Sequence, residues 1–103
     1  MEKTLGFFNS YLPHKFNKYP EIAAEINGVY QFNITGAGAW IVDLTDGGSV
    51  AEGTHDIAGC VVETTVENFE KVLNSPTSAM MMIATGKLKI SNVGMGMALQ
   101  KLF

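Results

Sequence analysis

Cys60, His55 and the acid-flanked turn Glu52-Gly53-Thr54-His55-Asp56 are the groups in this chain that could do covalent or metal chemistry. Neither chemistry is equipped. A thiol becomes a nucleophile when a base is held beside it, whereas Cys60 opens an alternating strand and reads there as a small buried apolar group. A metal needs at least three convergent ligands; His14 is isolated beside Lys15, and no second cluster of His or Cys completes the His55 turn, which reads as a capped turn. Gly36-Ala37-Gly38 lacks the following helix that a phosphate cradle needs. The chemistry this sequence does support is apolar. Five of the six methionines lie between Met80 and Met97, and residues 77–103 hold no carboxylate and no histidine. Methionine is unbranched and polarizable, so it suits adaptable contact with apolar matter. Three successive residues cannot share one helix face, so Met80, Met81 and Met82 divide between core and another surface.

The whole chain has to supply the walls. At 103 residues it reads as a single domain over residues 1–103. Hydrophobic residues make up 47% and charged residues 17% of it, a globular balance. A net charge of −3 and a pI near 5.2 exclude the basic face that a nucleic-acid partner demands. Met1-Glu2-Lys3-Thr4-Leu5 carries an acid at once and no apolar run, so no secretory signal is expected. The longest unbroken apolar run, Ala79 to Ala84, is far short of the roughly 20 residues that span a bilayer. A lone cysteine allows no internal disulfide and fits a cytoplasmic setting.

Leu5, Phe8 and Leu12 fall on one face of a first helix, which Pro13 is expected to limit because the residue before proline avoids the helical region. Pro20 opens a second helix with Ile22, Ala23 and Ile26 inward, and Asn27-Gly28 supplies its left-handed stop. The period then falls to two. Tyr30, Phe32 and Ile34 form one strand, Trp40, Val42 and Leu44 the next, and Val50 to Gly53 a third, giving an antiparallel meander. Cys60 to Thr64 is a fourth strand. Thr64-x-x-Glu67 has the capping-box pattern and opens a helix with Val66, Phe69, Val72 and Leu73 on one face. Ser75-Pro76 starts another, stopped at Gly86. Lys87 to Ile90 alternates as a fifth strand with its lysines on a solvated face, and Gly94 to Leu102 closes the chain as a helix. Segregated helices on such a sheet make an α+β domain with one covered face and one wet face.

In Tyr30-Gln31-Phe32-Asn33-Ile34-Thr35-Gly36, in Trp40 followed by a strand and Asp46-Gly47, in Glu52-Gly53-Thr54-His55, and in Thr85-Gly86-Lys87-Leu88-Lys89-Ile90 with a final amphipathic helix, the chain resembles the sterol carrier protein type 2 family. The order and spacing of these stretches carry the resemblance, from Leu12-Pro13 to Phe103. It implies a five-stranded, mostly antiparallel sheet with helices on one face, enclosing an apolar tunnel. It also implies a non-enzymatic protein that binds and carries a fatty acid, a fatty acyl-CoA or a sterol-like lipid, with no cofactor. By position, the tunnel residues so implied are Trp40, Phe69, Leu73, Met81, Met82, Leu88, Ile90, Met95 and Leu99. The chain departs from the family where Ser91-Asn92-Val93 replaces a Gly-Asp turn, and where methionines replace a common phenylalanine. Transient membrane contact and a homodimer are open on this reading. The alternative is an accessory or dimerisation module whose core is filled by its own side chains. A small hydrolase or thiol enzyme ranks below both.

Overall fold

Apolar residues at positions 5, 8 and 12 do build one helical wall, but by a route the proline rule does not anticipate. In the structure, a computed structural model describing the whole chain from Met1 to Phe103, α1 (Glu2–Gly6) runs through a π-helical turn (Phe7–Tyr11) into α2 (Leu12–Lys18) without a break. Pro13 therefore does not limit the helix. The Leu12 N–H reaches back five residues to the Phe7 carbonyl, and the widened turn absorbs the donor that proline cannot offer. The extra residue per turn also buries Phe7 beside Phe8 and Leu12. The same proline rule holds at the next site: Tyr19, before Pro20, leaves the helical region at φ −130°. Helix α3 (Glu21–Ile26) follows, ended by Asn27 in the left-handed conformation at φ 47°.

Five strands form one sheet in the order β3-β2-β1-β4-β5. β1 (Val29–Thr35), β2 (Gly38–Asp43) and β3 (Ser49–Glu52) make the antiparallel meander. β4 (Cys60–Thr65) lies parallel to β1, with Phe32 opposite Val62. Reaching that position takes the chain from β3 past two strands through residues 53–59, and Gln31 holds this crossing. Its amide nitrogen donates to the Gly53 carbonyl at 3.0 Å and its oxygen accepts from the His55 N–H at 2.7 Å. Gln31 is buried for that reason, although alternation with Tyr30 and Phe32 puts it on the sheet face away from the helices. The His55 ring accepts from the Ile57 N–H at 3.2 Å, a hydrogen bond that holds the shape of the acidic turn.

Several boundaries move from their expected positions. The cap of α4 (Val66–Asn74) is Thr65, whose hydroxyl accepts from the Asn68 N–H at 3.2 Å, and not Thr64. Thr64 points inward and donates to the Lys87 carbonyl at 2.8 Å. After α5 (Ser78–Ala84), the N–H groups of Lys87 and Leu88 both turn back to the Met82 carbonyl at 2.8 and 3.2 Å. Those donors are spent, so β5 shrinks to Lys89–Ile90, antiparallel to β4. The closing helix is shorter than expected as well. α6 (Val93–Ala98) tightens into a 3-10 turn over Leu99–Leu102.

The helices pack their apolar side chains on the sheet face of Phe32, Ile34, Trp40 and Val42. Phe8 stacks on Trp40 with ring centroids 4.4 Å apart and on Phe69 at 5.6 Å, and Phe32 meets Phe8 edge-on at 5.2 Å. This aromatic cluster is the solid end of the interior.

Candidate functional site

The other end is not solid. Between the sheet and α4–α6 lies a narrow apolar slot of about 60 Å³. Phe32, Val62 and Ile90 give its floor, with Leu88 from the turn before β5, and Phe69 and Val72 from α4 form its inner wall. Ala79, Met80 and Ile83 of α5 face Gly96, Met97 and Leu99 across it. Met80 and Met97, 49% and 43% exposed, stand at the rim, where the slot opens to solvent. Gln100 is its one polar side chain. Such a surface binds by shape and desolvation and offers no group for proton transfer.

Sequence periodicity explains why these residues converge. Val62 alternates inward on β4, Phe69 and Val72 recur three apart on α4, and Met80 and Ile83 recur three apart on α5. Gly96 has a separate role: a Cβ there would stand 2.7 Å from an Ile90 methyl. Its bare backbone lets α6 sit directly on β5.

Of the nine residues drawn from the resemblance, Phe69, Leu88, Ile90 and Leu99 meet in the slot. Trp40 is fully enclosed in the aromatic cluster. Met81 faces solvent at 69% exposure, and Met82 is buried in the core on the neighbouring face of α5. Leu73 lines a separate outer groove. Met95 packs its thioether within 3.0 Å of where a Cβ on Gly59 would lie, over the β1–β4 seam. Phe32, Val62, Met80, Ile83 and Met97 line the slot without having been singled out as tunnel residues. For Phe32 and Val62 the signal was present in strand alternation next to Phe69. For Met80 it was the run itself, whose phase no local pattern fixes.

One phenol ties α6 to the sheet. Tyr30 donates to the Met95 carbonyl at 2.8 Å, tying α6 to β1. Burial, and then the neighbouring Cys60 thiol, push the Tyr30 phenol up to about 12. Burial also raises the Cys60 thiol, whose Sγ donates to the Asn92 carbonyl at 3.6 Å. That is the reverse of an activated nucleophile. No group of three or more His, Cys, Asp or Glu side chains is placed to hold a metal ion, and no helix is long and apolar enough to cross a membrane.

Tyr30→Phe is expected to cost about 1 kcal/mol of stability at neutral pH through loss of that hydrogen bond. The phenol's raised value means that its contribution is complete below pH 10.0 and is lost as pH rises towards 12. Thermal melts at pH 9 and pH 11.5 check this (about one unit below and about one and a half units above the ordinary phenol). The wild type should lose stability faster than Tyr30→Phe across that interval, so that the gap between them narrows.

Comparison with known proteins adds sequence and fold evidence. The model of the SCP-2 sterol transfer family matches residues 8–103. Hydroxysteroid dehydrogenase-like protein 2 of Danio rerio is 34% identical over 88 residues, covering 81% of this chain and 21% of that protein. The chain thus spans about a fifth of the length of the curated relatives it matches. The solution structure of the sterol carrier protein domain 2 of Helicoverpa armigera superposes with a TM-score of 0.79 at 18% identity, over 97% of this chain and 84% of that one. Palmitated SCP2L2 from Aedes aegypti superposes at 0.75 with 20% identity, over 94% and 91%. At these identities the two structures establish a shared fold. The family match takes in every wall of the slot, and the chain belongs to the SCP-2 sterol transfer family.

Proposed function

We propose that this chain binds one acyl or sterol-like lipid between its sheet and helices α4–α6 and carries it without catalysing a reaction. The observation that carries the reading is an apolar slot with a methionine rim, set where the covered sheet face meets three short helices. Palmitate in the fold neighbour from Aedes aegypti supports an acyl guest. Uptake is driven by desolvation, at roughly 25 cal/mol for each Å² of apolar surface removed from water. A slot of about 60 Å³ is well below the range of about 300–1,000 Å³ typical of small-molecule sites. Loading therefore requires α6 and the turn after it to lift, hinged at Ser91-Asn92 and released at the Tyr30 latch. Residence in a reducing cytoplasm, with Cys60 free, and transient contact with a membrane during loading belong to the same proposal.

Displacement of a fluorescent fatty acid tests it. Wild type should bind hexadecanoate with saturable displacement, and Met80→Lys should weaken it about tenfold by placing a charge at the apolar rim. Half-exposed Met80 can be changed with little effect on the melting temperature. An unaltered titration with Met80→Lys would remove the slot as the site.

The small volume favours one second reading, an accessory module whose own side chains nearly fill its core. That protein would copurify with no lipid and displace no probe.

A further inference from the structure

Outside the slot, a groove of about 400 Å³ with largely apolar walls lies between the N-terminal helix and α4. Its floor is Phe7, Leu73 and Gly6; Tyr11, Lys3 and Asn74 stand at its edges. One side chain belongs to both hollows. Phe103 lines the groove and the slot, its ring stacked on Phe7 at 5.1 Å and edge-on to Phe69 at 6.4 Å. It is half-buried and follows the closing 3-10 turn, held by a long backbone bond to the Gln100 carbonyl at 3.4 Å. The ring is thus a partition between two apolar spaces, resting on Phe7 and Phe69 by ring contacts. Swung aside, it would merge them into a space within the usual range for a small-molecule site.

The groove is not electrically neutral. The Lys3 ammonium stands at its edge, donating to Asn74 Oδ1, while the nearest acid on α4, Glu70, is taken by the Met1 amine at 2.6 Å and by the N–H and hydroxyl of Thr4 at 3.1 Å. All seven cationic side chains of the protein are lysines, and this is the one that lines the hollow sharing Phe103 with the slot. An apolar floor with one ammonium at its edge matches the chemistry of a singly charged amphiphile. A sterol would leave the ammonium unpaired. The polyphosphate of a coenzyme A ester would find one cation where it needs several.

We propose that the Lys3 groove is the head-group subsite for a long-chain carboxylate whose tail passes the Phe103 ring into the slot, with Phe103 as the gate. This rests on the lipid-binding reading and adds the ligand's class and orientation. Displacement titrations with hexadecanoate and hexadecanol, on wild type, Lys3→Gln and Phe103→Ala, test it. Wild type should prefer the carboxylate. Lys3→Gln should weaken hexadecanoate about fivefold and leave hexadecanol unchanged, since a partly exposed ion pair is worth about 1 kcal/mol. Phe103→Ala should speed loading and raise the preference for hexadecanoate over octanoate. In NMR spectra of the wild type, a stearate doxyl-labelled near its carboxylate should broaden the amides of Lys3, Tyr11 and Asn74. A label at the tail should broaden those of Ile83 and Leu88. Equal binding of acid and alcohol, unmoved by Lys3→Gln, or tail-label broadening at Lys3, would overturn the subsite while leaving lipid binding intact. Binding of neither ligand by wild type would end both readings.

Discussion

Phe8→Ala is expected to cost about 3–5 kcal/mol, the range for removing a buried aromatic ring. Phe8 is wholly enclosed and touches four other rings, stacked on Trp40 and Phe69 and edge-on to Phe7 and Phe32. Each such pair adds about 0.5–1.5 kcal/mol beyond the area it buries. The protein cannot refill the hole cheaply, because the sheet below is tied through β1 to both β2 and β4. A domain of this size has about 5–15 kcal/mol in total, so roughly a fifth or more of its stability should go. Urea unfolding followed by circular dichroism checks this as a lower midpoint at an unchanged slope, with the melting temperature down by roughly 15 °C or more. A loss below about 1 kcal/mol would mean that the cluster is loosely packed and that the interior is soft throughout.

The face carrying Phe8 was legible before the structure, because Leu5, Phe8 and Leu12 obey helical spacing. The π turn that carries them across Pro13 was not, since the proline rule describes local sterics and the turn is set by what the helix packs on. The same division recurs along the chain. Alternation identified the inward residues of β1, β2 and β4, yet it placed Gln31 on a wet face that the crossing at residues 53–59 in fact covers. Thr64 and Thr65 both suit a cap; which one serves depends on strand parity, which turns Thr64 inward to Lys87. The methionine run pointed to the right helix without its rotation. Met80 reaches the slot rim and Met81 and Met82 do not, because the phase of α5 follows from its tertiary packing, α4 included. The size of the slot could not be read at all. A void is a small difference between large packed volumes, and no residue encodes it.

Ala79→Leu should separate a binding site from a packing defect, because the two respond in opposite directions. Ala79 projects from α5 into the slot, opposite Gly96 and Leu99, and is partly buried. Leucine adds three heavy atoms of apolar bulk to a space of about 60 Å³. It keeps helix propensity nearly unchanged. Filling a void of this kind stabilises by about 0.5–2 kcal/mol, seen as a higher melting temperature. Ligand entry should suffer in the same protein. A guest must now displace the leucine or strain the walls, at about 1–3 kcal/mol, so hexadecanoate affinity should fall roughly tenfold to a hundredfold. Higher stability with weaker binding would identify the slot as space held open at a cost in folding, the trade expected where function opposes close packing. Higher stability in a protein whose wild type binds no lipid would assign the slot to imperfect packing and favour the accessory module. Lower stability would mean that α5 has no room to give, and that the space a guest needs comes wholly from lifting α6 at the Tyr30 latch.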